Sequence, residues 1–419
     1  MTAKVEDSQG GPARKIPSVP GNLIQFIISN IGAQAVSFAA ALILGRLVTT
    51  SSFGQYSIFL ATTSIGSALL LSRLDMAVAL SKDAIEIEKN TVTSIAFVVV
   101  IGSIVAPLLF CAAMLSHLLA IGLVDACAAY VTIVGFSIYQ ILLMLAANSR
   151  RTRIYSVGRV LNILIIIFVQ TLSIFIFGDS TLALGHSIGQ AVSTTIMLLL
   201  LWPLLKTFGG SCSSSQISAS CRRLSSYLIW GGAAAGVNIM AQREILVLLV
   251  ALLYGNSPAG LVTFSLRTTN GALGAISIAL THFIAPEVGT AAHHGRTKIL
   301  FRNYAPWIIA AGLLILGPFL VFSKELYGLV FGLQWSDAGN YVRALSPIFI
   351  CQFVISPFST SMFARNQHIT VLVWDIARIG FVCAAAWFAY SAEVSVLPFL
   401  VVVSVAYSFF YLWLLWRSL

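Results

Sequence analysis

Apolar stretches of membrane-spanning length, divided by short polar breaks, occupy nearly the whole chain. They predict twelve helices, at 22–48, 53–80, 91–115, 124–147, 155–177, 181–204, 227–253, 259–283, 303–323, 339–361, 369–390 and 395–416. A hydrocarbon core about 30 Å thick needs roughly 20 apolar residues per helix, and each of these runs supplies them. The pattern predicts an all-α integral membrane protein with no sizeable soluble domain. The first run follows Lys15, is too long for a signal-peptide core and leads straight into a second span, so it reads as a retained helix.

Two short matches relate the halves of the chain. "NIGAQ" at 30–34 resembles "NIMAQ" at 238–242 with an offset of 208, and "GQYSIFLATTS" at 54–64 resembles "GLVTFSLRTTN" at 260–270 with an offset of 206. Nearly equal offsets at equivalent places predict an internal duplication of six helices. Both halves would then start on the same side of the membrane as parallel repeats, and transporters of that kind bind substrate between the halves. The expected organisation is a cytoplasmic tail at 1–21, one six-helix bundle at 22–205, a linker at 206–226 and a second bundle at 227–419, around a central cavity. The linker, "KTFGGSCSSSQISASCRR" at 206–223, is rich in Ser and Gly with basic ends, as a flexible connector should be.

Charge fixes the orientation. Only 9% of the 419 residues are charged, against roughly 25% in soluble proteins. With the amino terminus inside, Lys4, Arg14, Lys15, Lys82, Lys89, Arg150, Arg151, Arg153, Lys206, Arg222, Arg223, Arg296, Lys298, Arg302, Arg365 and Arg417 fall in or beside the loops of the inner side, whereas the outer loops hold only Lys324. Positive residues stay inside, so both termini are expected to be cytoplasmic. The net charge of +10 is then largely topological and calls for no nucleic-acid partner. Cys111, Cys127, Cys212, Cys221, Cys351 and Cys383 show no paired spacing, and the adjacent His293 and His294 read as solvated, so neither cofactor nor metal is expected.

Candidate chemistry lies within the spans. Asn30 with Gln34, and Asn238 with Gln242, are each four residues apart and share a helical face. Gly231, Ala235, Asn238 and Gln242 form a small and polar stripe, suited to close helix packing or to facing a hydrated cavity. Under the repeat offsets, Ala35, Val36 and Ala61 of the first half correspond to Arg243, Glu244 and Arg267 of the second. At 1.5 Å per residue, Arg243 and Arg267 lie roughly 16 and 12 Å below the outer end of their helices. Charges at that depth cost at least a few kcal/mol facing lipid, so both should face protein or a wet cavity. A buried Arg243–Glu244 ion pair is the structural alternative. Consecutive residues of an α-helix point about 100° apart, however, so Glu244 need not share the space of Arg243, and one carboxylate cannot neutralise two arginines. Arg46 and Arg343, near outer helix ends, would extend a cationic rim or snorkel to headgroups. Arg73 and Asp75, at i and i+2, should not face each other, whereas Asp375 and Arg378 should pair within one turn. Glu244, Asp75 and Asp375 are the candidates for proton or sodium coupling, each with a structural role as the alternative.

"FGQYSIFLATTSI" (53–65), "SRLDMAVALSKD" (72–83), "SPAGLVTFSLRTTNGALGAISIALTHFIAPEV" (257–288) and "LVFGLQWSDAGNYVRALSPI" (329–348) resemble segments of the Wzx-type polysaccharide flippases of the multidrug, oligosaccharidyl-lipid and polysaccharide exporter superfamily. The resemblance implies two six-helix bundles in a V around a central cavity, in the bacterial inner membrane. It implies export of a polyprenyl-diphosphate-linked oligosaccharide for O-antigen or exopolysaccharide synthesis, with membrane lipids and the polysaccharide polymerase and export machinery as further partners. Arg243 and Arg267, with Arg46 and Arg343, would then serve the diphosphate or acidic sugars, and Asn30, Gln34, Asn238 and Gln242 the neutral sugars. A multidrug antiporter would be expected to carry more acidic than basic residues in its bundle, and a peptidoglycan-precursor flippase would usually carry additional helices. A membrane glycosyltransferase or O-antigen polymerase would need catalytic carboxylates in a substantial outer loop, and the outer loops here are short, without an acidic cluster. The expected protein is therefore a transporter and not an enzyme.

Overall fold

The computed structural model describes residues 21–81, 83–115, 123–208, 224–225, 227–293, 296–365 and 367–419, and these form helices joined by short turns. The tail at 1–20 and the linker segment 209–223 lie outside the described residues. The first half contains α1 (Gly21–Leu47), α2 (Thr50–Leu71), α3 (Leu74–Ala79), α4 (Ala84–Leu115), α5 (Leu123–Asn148), α6 (Thr152–Phe177) and α7 (Leu182–Leu205). The second contains α8 (Gly232–Ile239), α9 (Ile245–Tyr254), α10 (Asn256–His293), α11 (Thr297–Phe331), α12 (Ser336–Ala364), α13 (His368–Ser391) and α14 (Val396–Ser418). Among the described residues, nine helices are long and apolar enough to cross a membrane on their own. With α1, the α2–α3 pair and α10, they make up the twelve spans.

Two spans depart from simple helices, and both departures matter for the site. The span expected at 53–80 is broken, because Ser72 and Arg73 adopt left-handed conformations (φ 47° and 59°) that end α2 and restart the chain as α3. The Asn148 side chain anchors the end of α3, donating to the carbonyls of Val78 (2.8 Å) and Ser81 (3.0 Å). The seventh span is continuous but uneven: π-helical turns at Tyr227–Gly231 and Met240–Glu244 flank α8, and α9 completes it. At the end of the bundle that the charge bias marks as external, Gly178, Gly255 and Gly332 turn the chain with φ of 91°, 86° and 110°, a region that disfavours residues with a Cβ.

Each half has its own apolar core, one around Leu142, Leu145 and Leu201, the other around Phe349, Phe358 and Leu400. A third, aromatic cluster bridges the halves at the external end. There Trp335, fully buried, stacks on Phe264 with centroids 3.9 Å apart and meets the edge of Phe53 at 5.4 Å. Its indole N–H donates to the Gly45 carbonyl, and the Gln334 amide donates to the carbonyls of Gly45 (2.9 Å) and Val48 (3.1 Å). These are carbonyls at the end of α1 that the helix itself leaves unpaired. The structure is thus sealed on the external side.

The seam beside this seal carries the repeat in its contacts. A Cβ at Gly54 would lie 1.8 Å from the Asn256 carbonyl oxygen, and a Cβ at Gly260 would lie 2.2 Å from the Thr50 carbonyl oxygen. Positions 50 and 256, and 54 and 260, are related by the same offset of 206, so one contact is made twice, as two-fold-related surfaces require. Gly54→Ala should therefore force α2 and α10 apart, at a cost of about 1–3 kcal/mol typical of overpacking. The expected result is faster labelling of a cysteine at Thr50 by a membrane-impermeant maleimide. Unchanged labelling would show that the seam absorbs the methyl group.

Candidate functional site

The broken α2–α3 span and the π-turn of the seventh span face each other across a cavity of about 430 Å³. Its walls include Ser64, Ser67, Arg73, Asp75, Gln140, Asn238, Gln242, Arg243 and Glu244. Below the cavity the break fits closely against the first π-turn, Tyr227–Gly231, and the start of α8, because the opposing residues are glycines. A Cβ at Gly232 would come within 2.6 Å of the Ser72 hydroxyl, and one at Gly231 within 3.0 Å of its carbonyl oxygen. Broken helices are where transporters of repeated architecture place substrate, and π-turns recur at functional sites.

Arg243 sits in the Met240–Glu244 π-turn. Its Nε donates to Glu244 Oε1 at 3.0 Å, with the arginine side chain 43% exposed to the cavity and the glutamate 10%. The pair and the cavity-facing cation, set against each other as alternatives in the sequence, coexist. Glu244, which a regular helix need not turn towards Arg243, lines the same cavity and bonds its neighbour within the π-turn. Glu244 holds the guanidinium by Nε, and the terminal nitrogens remain free to make two parallel bonds to an anion.

Towards the external side, Arg243 and Glu244 also line a smaller cavity of about 40 Å³ with Ser57, Thr263 and Arg267. The Arg267 guanidinium lies 5.8 Å from the centroid of Tyr56, whose hydroxyl is 2.8 Å from His186 Nδ1. Arg243 and Arg267 thus meet at one continuous polar surface. Towards the inner side, Arg73 and Asp75 line the same large cavity on either side of Leu74, where the helix restarts, and among the described residues no ion pair joins them, as the i, i+2 spacing predicts. One Asp75 carboxylate oxygen is buried without a hydrogen bond among the described residues. Across both cavities the cations Arg73, Arg243 and Arg267 exceed the anions Asp75 and Glu244 by one.

Asn238 and Gln242 share a face as expected, and their amides begin a chain of bonds. Gln242 Nε2 donates to Asn238 Oδ1 (2.9 Å), and Asn238 Nδ2 donates to Asp375 Oδ2 (2.9 Å). Asp375 Oδ1 accepts from Arg378 Nη2 at 2.7 Å, with the two side chains only 3% and 1% exposed. The ion pair within one turn of α13 is present as the spacing predicts, and it commits Asp375 to Arg378 and Asn238.

Other sequence candidates lie apart. Arg46 Nη2 donates to the Val330 carbonyl (3.3 Å), and Arg343 donates to the carbonyls of Leu320 (2.9 Å) and Val321 (2.6 Å) and sits 3.9 Å from Glu325. Both are exposed near the external end, away from Arg243. Gln34 is half-buried on α1 and does not line these cavities, and the side chain of Asn30 lies outside the described residues. Sequence reasoning missed His186, Gln140 and the α12 residues Gln352, Ser356 and Ser359. The last three were legible as an i, i+4, i+7 polar face in an apolar run.

No family model matches the chain, and no curated protein matches it. Solved structures do. An inward-facing multidrug resistance MATE family transporter of the MOP superfamily aligns with a TM-score of 0.67 at 14% identity, over 94% of this chain and 98% of that one. The lipid II flippase MurJ in an inward closed conformation aligns with a TM-score of 0.69 at 12% identity, over 94% of this chain and 87% of that one. The fold is the one these transporters share. An outward-facing MATE family transporter aligns with a lower TM-score of 0.61, in keeping with the external aromatic seal of this chain. The likeness covers both halves and establishes a multi-pass transporter fold of about twelve helices.

Proposed function

We propose that the protein is a flippase that moves a polyprenyl-diphosphate-linked oligosaccharide from the cytoplasmic to the outer leaflet of a bacterial inner membrane. The observation that carries this reading is Arg243: a guanidinium at mid-membrane, held by Glu244 through Nε, with its terminal nitrogens turned into a cavity of about 430 Å³. A planar fork fixed on one side suits a phosphate group, which accepts two parallel hydrogen bonds. Arg267 and Arg73 extend the positive field towards the two ends of the path. Asn238 and Gln242 offer amide groups to the sugars beside it. Alternating access would then open the external seal around Trp335 as the inner end closes, with the linker at 206–226 tethering the two bundles.

The excess of cations over anions along the cavity speaks against a carrier of organic cations. The likeness to a lipid II flippase supports a lipid-linked substrate and keeps a peptidoglycan-precursor flippase as the second reading. The deciding experiment is deletion of the gene followed by identification of the lipid-linked glycan that accumulates on the cytoplasmic face. A surface-polysaccharide repeat unit is expected. Accumulation of peptidoglycan precursor would establish the second reading, and accumulation of no lipid-linked glycan would overturn both.

A further inference from the structure

A second cavity of about 190 Å³ lies in the inner half of the bundle, within the second repeat, and meets the central one at Asn238 and Gln242. α12 lines it with Gln352, Ser356 and Ser359, α13 with Trp374 and Arg378, and α14 with Tyr411. Its chemistry differs from that of the central cavity. Arg378 is bound to Asp375 at 2.7 Å and stacked 3.8 Å from the Trp374 centroid, so its charge is compensated and its position fixed. The carboxylate is likewise taken, by Arg378 and Asn238. Neither an anion nor a cation finds an uncompensated partner in these walls.

Neutral hydrogen-bonding groups remain. Among the described residues, neither the Gln352 amide nor the Ser356 hydroxyl is hydrogen-bonded within the protein. Polar groups at membrane depth that lack protein partners need water or a polar ligand, because leaving them dry costs several kcal/mol each. An acyl or polyprenyl chain would leave these groups unsatisfied, whereas a sugar ring presents donors and acceptors to all of them.

We propose that this side chamber is a subsite for one uncharged sugar, the residue attached directly to the diphosphate, and that Gln352 and Ser356 determine which sugar is accepted. The proposal rests on the flippase reading above. The diphosphate at Arg243 places the first sugar beside Asn238 and Gln242, where the chamber opens, and the volume of the chamber suits a single ring. The remainder of the glycan extends into the central cavity. Specificity follows from desolvation: a ligand that enters the chamber covers the half-buried Gln352 amide and Ser356 hydroxyl, and one that cannot supply them with partners is rejected.

The test compares equilibrium binding to the purified full-length protein of three probes: polyprenyl diphosphate alone, the same lipid bearing one neutral hexose, and the same lipid bearing one N-acetylhexosamine. At least one sugar-bearing probe should bind about tenfold more tightly than the bare diphosphate lipid, which corresponds to about 1.4 kcal/mol. Gln352→Leu combined with Ser356→Ala should remove that preference while leaving the affinity for the bare lipid unchanged. Affinity for the bare lipid also reports folding; if the double variant loses it, Gln352→Ala alone is judged by the same criterion. A preference that survives these substitutions, or no preference in the wild-type protein, overturns the subsite. Arg243→Ala is measured in parallel. If it weakens none of the probes, the diphosphate reading fails on its own, independently of the sugar chamber.

Discussion

Arg243→Ala should reduce export by about 100-fold while the protein accumulates normally in the membrane. Removing the guanidinium deletes two charge-assisted bonds to the substrate, and losses of about 1.5–3 kcal/mol per bond to a charged group give at least that factor. Arg243→Lys should keep part of the activity, since the ammonium preserves charge and loses the planar fork. Glu244 sharpens the test because it is bonded to Nε at 3.0 Å. Were the pair purely structural, Arg243→Ala with Glu244→Ala would restore folding and export together, as removal of both partners of an ion pair often does. The account predicts that the double variant folds and stays inactive. Glu244→Gln should lower export less than Arg243→Ala does, because the amide oxygen can still accept from Nε. Export per folded molecule, measured for all four variants, checks the set.

The second large effect concerns stability. Arg378 and Asp375 are almost wholly buried and bonded at 2.7 Å. Arg378→Leu leaves a carboxylate in the bundle with only the Asn238 amide, and Asp375→Leu leaves a guanidinium with only the Tyr411 hydroxyl and aromatic faces around it. Each single substitution should destabilise by about 3–5 kcal/mol, whereas the double substitution should recover most of that loss. The measurement is the unfolding midpoint of the purified single and double variants. Additive losses would show that the two side chains are not coupled in the way the geometry indicates. The same pair argues against Asp375 as the coupling carboxylate, since its oxygens already have partners, and leaves Asp75, with one oxygen unbonded, as the better candidate for proton or sodium coupling.

Much of the fold was legible because hydropathy reports it directly. The twelve spans follow from apolar runs, and the glycines at 54 and 260, noticed as a sequence repeat, turn out to be points of closest approach between the halves. Backbone irregularity was not legible. Nothing in "LLSRLD" marks Ser72 and Arg73 for the left-handed region, because neither is the Gly or Asn that such positions favour, and nothing in "MAQRE" marks a π-turn. The site suffered most from this. The break after α2 and the π-turn shape the walls on which Arg73, Asp75, Arg243 and Glu244 stand, and neither irregularity follows from the residues that form it. Arg46 and Arg343 were drawn into the predicted site by charge and depth alone, and their bonds to backbone carbonyls are a tertiary matter. Gln352, Ser356 and Ser359 were overlooked because single polar residues in a long span also serve helix packing, and only their spacing set them apart.

The central claim is that the cavity at Arg243 binds a diphosphate. Its most direct test is the affinity of the purified protein for polyprenyl diphosphate against uncharged polyprenol of the same chain length, in the wild type and in Arg243→Ala. The account predicts a strong preference of the wild type for the diphosphate lipid, which collapses in Arg243→Ala while binding of the polyprenol is unchanged. Equal binding of the two lipids by the wild type, or a preference that Arg243→Ala retains, would contradict it.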